Sequence, residues 1–258
     1  RSFVIVPEQQ SVEMEQQLST NVGDVYNMCC EVLNFDRLPE RIFRDVGGVK
    51  EKYIDSAGKD IILGGVLAEL SESLEQYKNT YRSAEHIKKI LSELEQLKRY
   101  RMTPESLTEL SKKLALSDAK LSKKLSDLSL ILASYNSKFA ESLDPSDSME
   151  RLIEKIDGMD YFDGMNVYID GYYSYTGKEM ALIGEGLKSA KDVFITFCLD
   201  DDEMFSENVR TYKAVTRLAS SLHVKTRDIV LTTNVRHKTN QLRHLEANMW
   251  NYGAKRIP

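Results

Sequence analysis

Cysteine is scarce and badly placed for any framework. Cys29 and Cys30 are adjacent and Cys198 is distant, which gives neither a disulfide scaffold nor the paired spacing of a zinc or iron–sulfur site. All three read as buried thiols. Long apolar runs are missing as well: none approaches the roughly 20 residues that a membrane helix needs, and no basic segment followed by an apolar core marks the amino end. The chain therefore reads as cytoplasmic, with no membrane partner. Neither charge dominates, because 35 Lys and Arg against 40 Asp and Glu leave a formal net charge of -5. That balance argues against coating nucleic acid through bulk charge, while a local basic groove stays open. Disorder is excluded by a composition of 41% hydrophobic and 29% charged residues in 258, enough for one large domain or two intimate ones with a proper core.

Two further absences concern chemistry. No G-x-x-x-x-G-K-S/T phosphate loop occurs, and the one strand that ends like a motor's metal-binding strand carries a single acid. That strand, Val167-Tyr168-Ile169-Asp170, is followed by Gly171-Tyr172. In P-loop motors the aspartate there holds the Mg²⁺ of bound nucleotide and a neighbouring glutamate helps activate the attacking water. With Gly171 in the second place, such a site would bind nucleotide without turning it over well.

What is present is an alternation of strands and helices with a helical middle. Ser2-Phe3-Val4-Ile5-Val6, stopped by Pro7, has the unbroken apolar character of a strand buried on both faces of a parallel sheet. Such a strand is rarely a first element, so the chain is expected to be a piece of a longer protein. A helix over 8–18, a strand over 29–33 and a helix over 35–46 ended by Gly47-Gly48 follow. Strands then vanish for about a hundred residues. Leu63 to Tyr77, Ile87 to Leu97 and Leu121 to Phe139 form apolar helical stripes, and Thr103-Pro104-Glu105 reads as a helix start. Alternation returns with strands at 167–170, 192–197 and 228–231 and helices over 178–187, 209–222 and 239–250. The predicted organisation is an α/β sheet beginning in 1–50, an all-helical insertion over 51–157, and the remainder of the α/β domain over 158–258.

In order and spacing, several segments resemble the amino-terminal part of the AddB/RexB family. They are Val4-Ile5-Val6-Pro7-Glu8-Gln9, Glu31 to Leu38, the Gly47-Gly48 turn, and Val167 to Tyr172 continuing through Thr176 and Glu179, with Arg236 and His244-Leu245-Glu246 further on. AddB is the second subunit of the bacterial AddAB helicase-nuclease. Gly177-Lys178 departs from the proline-glutamine usual in the family. The resemblance implies a RecA-like P-loop NTPase sheet of the superfamily 1 helicase type, interrupted by a helical subdomain. It also implies a heterodimer with an AddA/RexA-type helicase-nuclease subunit, resecting double-stranded DNA ends before recombinational repair. The second subunit would guide the emerging single strand and recognise a Chi-type sequence. ATP and Mg²⁺ would belong, weakly or as a vestige, to the full-length subunit, and the nuclease and its iron–sulfur cluster to a part outside this chain.

Each candidate residue has a plainer competitor. Asp170 is a Mg²⁺-coordinating remnant or a loop-capping acid. By resemblance, Gln9 and Ser11 lie in a loop that contacts single-stranded DNA with neutral donors and acceptors; otherwise they stop a strand and cap a helix. Phe35 and Arg37 suit stacking a splayed base and holding its phosphate, although Phe35 reads first as a core residue and Arg37 is the stronger candidate of the two. Arg236, in Leu231-Thr232-Thr233-Asn234-Val235-Arg236, matches an arginine that reaches a γ-phosphate in related helicases, or is a surface arginine. The lysines between Lys88 and Lys124 and the Asp200-Asp201-Asp202-Glu203 run read as solvated faces. Two competing functions remain: an ATP-driven motor fragment with Glu179 as substitute base, and a protein-docking scaffold.

Overall fold

The computed structural model describes residues 1–47, 54–138, 147–199, 203–231 and 239–249. They fall in two compact units, Arg1–Val224 and Lys225–Pro258. In the first unit, strands β1 (Ser2–Ile5), β2 (Cys30–Leu33), β3 (Asn166–Ile169) and β4 (Asp192–Ile195) form one parallel sheet in the order β2-β1-β3-β4. The register has no stagger: Ile5 stands level with Leu33 and Ile169, and Ile169 with Ile195. All four carboxyl ends therefore meet at one edge. The ladder runs to that edge, where Asp170 N donates to Ile5 O at 3.0 Å and Thr196 N to Ile169 O at 3.0 Å.

Helices α1 (Ser11–Val22), α2 (Tyr26–Cys29) and α3 (Leu38–Val46) fall in the β1–β2 and post-β2 connections. Next come α4 (Ser56–Glu69), α5 (Ala84–Arg99), α6 (Pro104–Leu114), α7 (Ala119–Ser137) and α8 (Ser148–Ile156), then α9 (Gly177–Ser189) and α10 (Ser206–Ser221). The second unit contributes α11 (Asn240–Asn248). Cap chemistry explains several starts. Thr103 and Thr176 each form a reciprocal capping box, with Ser106 and Glu179 respectively, satisfying amides that a helix leaves open.

Two separate apolar cores result. Phe3, Ile5, Val167 and Ile169 alternate onto one sheet face and pack with Leu38 and Ile42 of α3, Leu152 and Ile156 of α8, and Leu182 and Ile183 of α9. Leu63, Leu67, Leu94, Leu107, Ile131 and Leu132 unite α4 to α7 in the other. On the second sheet face Tyr168 and Phe194 stack at 5.0 Å with an interplanar angle of 7°, and both are exposed.

The structure corrects the expectation of a RecA-like P-loop NTPase. Helices dominate the described residues, and the sheet is small, four strands of four residues each; only the broad α/β description holds. The strand expected over 228–231 does not form: these residues are irregular, and Ile229, Val230 and Leu231 lie exposed. Among the described residues no strand is paired with this segment, and apolar sequence alone makes no strand without a ladder. The stripe from Leu63 to Tyr77 is cut, because α4 ends at Glu69 and Leu74 and Tyr77 reach the same core from the turn beyond it. Nor are the thiols buried: Cys198 is exposed, and Cys29 and Cys30 are half-buried. No helix among the described residues is long and apolar enough to cross a membrane.

Candidate functional site

The carboxyl edge of the parallel sheet collects most of the singled-out residues. This is the edge at which α/β sheets bind ligands, since side chains from several connections converge there. Pro7 ends β1 because it has no amide to donate, and a single 3-10 turn over Glu8–Gln10 leads into α1. Gln9 is exposed on that turn, and Ser11 opens α1 with its Oγ donating to Pro7 O at 3.5 Å. After β2, Asn34 is buried and its Oδ1 accepts from Arg37 N at 2.8 Å, turning the chain into α3. The guanidinium of Arg37 reaches toward Glu8 at 3.8 Å, with both side chains largely in solvent. Gln9, Ser11 and Arg37 thus share one edge.

Phe35 lies beneath them. Its ring is 3% exposed and packs edge-on against Tyr172 at 5.1 Å and Tyr175 at 6.0 Å. The structure places it in the core, where its ring is closed to a base. Burial pushes the Tyr172 hydroxyl up to about 12 and that of Tyr175 further, so both stay neutral. The Tyr175 hydroxyl is buried without a hydrogen-bond partner. Sequence reasoning passed over Tyr172 and Tyr175; a signal was available in the aromatic spacing of Tyr172-Tyr173-Ser174-Tyr175 after a strand end.

Asp170 closes β3 at the same edge, and its Oδ1 accepts from the Thr196 hydroxyl beyond β4. Gly171 follows with φ +78°, and a Cβ there would collide with Gln10 Oε1. The missing second acid has a local reason: a glutamate would have to take the left-handed conformation and displace Gln10. Glu179 is no free substitute, since its Oε2 accepts from Thr176 N at 2.6 Å in the cap of α9. Asp170 has the donor type that Mg²⁺ takes, while the phosphate loop that would bring nucleotide to it is not in this sequence. Among the described residues no three His, Cys, Asp or Glu side chains are grouped to hold a metal ion. Arg236 and Asp200 to Asp202 lie outside the described residues.

Elsewhere the charged stretches are internally paired. Lys89 meets Glu85 and Lys113 meets Glu109 on single helical faces, while Lys123 meets Glu75 and Lys124 meets Glu93 across elements of the insertion. A cleft of about 450 Å³ opens beside α4 and α5, lined among others by Asp55, Lys59, Lys88 and Glu95. It holds none of the candidate residues, and the buried Lys59 ammonium is paired with Glu95 at 2.8 Å.

The family described as ADDB, N-terminal matches residues 1–246. The chain belongs to that family. Among similar curated proteins is the ATP-dependent helicase/deoxyribonuclease B-subunit of Acetivibrio thermocellus, 29% identical over 98% of this chain and 23% of that relative. The protein of the same name from Clostridium perfringens is 28% identical over 98% of this chain and 23% of its own length. That of Thermoanaerobacter sp. is 30% identical over 80% of this chain and 18% of its own. This AddB-family chain thus spans about a quarter of the length of the relatives it matches end to end.

Proposed function

We propose that this chain is the part of a non-motor helicase/deoxyribonuclease subunit that guides single-stranded DNA, within a complex that processes double-stranded DNA ends in recombinational repair. The observation carrying this reading is the convergence of Gln9, Ser11 and Arg37 on one solvent-facing edge. Arg37 would exchange Glu8 for a phosphate. A surface ion pair with both partners in water contributes at most about 1 kcal/mol, so the exchange costs little and gains a charge-assisted contact. Gln9 and Ser11 would offer neutral donors and acceptors to base edges or sugar, which is the chemistry that reading a Chi-type sequence requires. The motor partner, of AddA type, would supply ATP-driven translocation, and the reading assigns no nucleotide turnover to Asp170.

Fluorescence anisotropy of a labelled oligonucleotide on the subunit assembled with its motor partner tests the reading. Arg37→Ala is expected to weaken binding several-fold and to lower the salt dependence by about 0.7 in slope, one phosphate contact on a single strand. Unchanged affinity in both Arg37→Ala and Gln9→Ala would mean that DNA passes elsewhere. DNA-stimulated ATP turnover lost on Asp170→Asn would favour the motor reading instead.

A further inference from the structure

The helical insertion meets the sheet at a seam that the DNA reading does not use. Lys98, at the carboxyl end of α5, places its Nζ 2.7 Å from Asp147 Oδ2. Lys178, the second residue of α9, places its Nζ 3.5 Å from Asp147 Oδ1. The two lysines are only 8% and 5% exposed, and Lys98 Nζ also stands over the Tyr135 ring of α7 at 5.8 Å. A cation in the first turn of a helix faces the positive end of the helix dipole, and desolvation lowers the Lys178 pKa while Asp147 opposes that shift. Lys178 therefore relies on nearby carboxylate charge, that of Asp147 first, to remain charged and buried.

Backbone contact reinforces the charges. A Cβ on Gly177 would lie 3.0 Å from the carbonyl carbon and oxygen of Tyr100, so the start of α9 and the end of α5 touch main chain to main chain. Arg101 ends α5 at φ +58°, a left-handed position usually given to glycine. Its guanidinium bonds Glu150 of α8 at 2.5 Å. Residues 170–176 connect the end of β3 to this clamped start of α9, so one end of the loop at the carboxyl edge is fixed by the insertion.

We propose that Lys98, Asp147 and Lys178 form a charge clamp through which the helical insertion positions the β3–α9 loop at the carboxyl edge. The inference rests on the DNA reading only for the use to which that loop is put. The clamp itself is tested without DNA, by amide hydrogen exchange on the full chain. Asp147→Asn removes the carboxylate that both lysines contact, and Lys178→Met removes one cation at similar volume. Both are expected to speed exchange of the hydrogen-bonded amides of Thr176, Glu179 and Met180 at the start of α9 and of Tyr100 to Met102 after α5 by roughly fivefold or more, while leaving unchanged the 75–77 amides that Asp127 holds. Asp147→Glu, which keeps the charge, is expected to restore most of the protection. If Asp147→Asn does not fold, Lys178→Met decides alone. Unchanged exchange at 176–180 in folded Lys178→Met overturns the clamp, as does an equal rise at 75–77 and 176–180. Faster exchange with unaltered affinity for a labelled oligothymidine sustains the clamp and counts against the DNA role of the loop.

Discussion

The turn at residues 74–77 in the helical insertion and the turn at residues 7–11 on the sheet are of similar length, yet they are held in opposite ways. In the insertion, Asp127 of α7 is 3% exposed. Its carboxylate accepts from the amides of Glu75, Gln76 and Tyr77 at 2.7 to 3.2 Å. Leu74 and Tyr77 are buried around it. On the sheet, residues 8–10 are exposed, and a Glu8–Arg37 pair in solvent joins the turn to the start of α3. One turn has its polar groups satisfied from within, whereas the other keeps donors and acceptors facing outward. A carboxylate spent on backbone amides marks structure, and side chains left in water above a rigid parallel sheet mark a surface available for binding.

Four substitutions put that contrast at risk, in descending order of effect. Asp127→Ala should cost roughly 3 kcal/mol in denaturant unfolding, because three amides lose a charged acceptor. A loss below about 1 kcal/mol would show that the insertion turn is no better held than the sheet turn. Gly171→Ala should cost about 1–2 kcal/mol from its left-handed backbone, with further disturbance of Gln10, and would reveal how much order the edge contains. Arg37→Ala should move unfolding by less than about 0.5 kcal/mol, as exposed positions do; a larger loss would make Arg37 a structural residue and remove the contrast. The smallest effect concerns Asp45. The Tyr161 hydroxyl, at 2.7 Å, and Arg1, at 2.8 Å, hold its carboxyl below the usual range. A lowered folded pKa gives stability that is present above the unfolded value of about 4 and is lost as pH falls through the folded value. Asp45→Asn should therefore flatten the acid limb of a pH–stability profile and leave the Asp127 turn unaffected.

Only part of this contrast was readable from residue patterns, and the rest escaped for identifiable reasons. Pro7, the apolar run before it and the Thr103 cap place β1 and α6 because their signals are local. The grouping of Gln9, Ser11 and Arg37 followed from a resemblance, and the parallel register then brought β1 and β2 ends side by side. Asp127 gave no warning. A lone aspartate inside an apolar stripe looks like a solvated position, and its partners lie about fifty residues away in sequence. The clamp at Asp147 was hidden likewise, since Lys98 and Lys178 are separated by the whole of α6, α7 and α8. Residues 228–231 misled in the other direction, having strand composition and an irregular backbone.

The central place of β1 has a consequence for how the chain is made. β1 pairs on one side with β2, about thirty residues away, and on the other with β3, where Ser2 meets Asn166 across the entire insertion. Sequence-distant pairings form slowly because the loop must close before contacts reward it, whereas α6 and α7 are neighbours in sequence. On an emerging nascent chain, the α6–α7 hairpin can fold while β1 still waits for its second neighbour. The edge that carries Gln9 and Arg37 thus gains its Asp170 side only after the whole insertion has emerged.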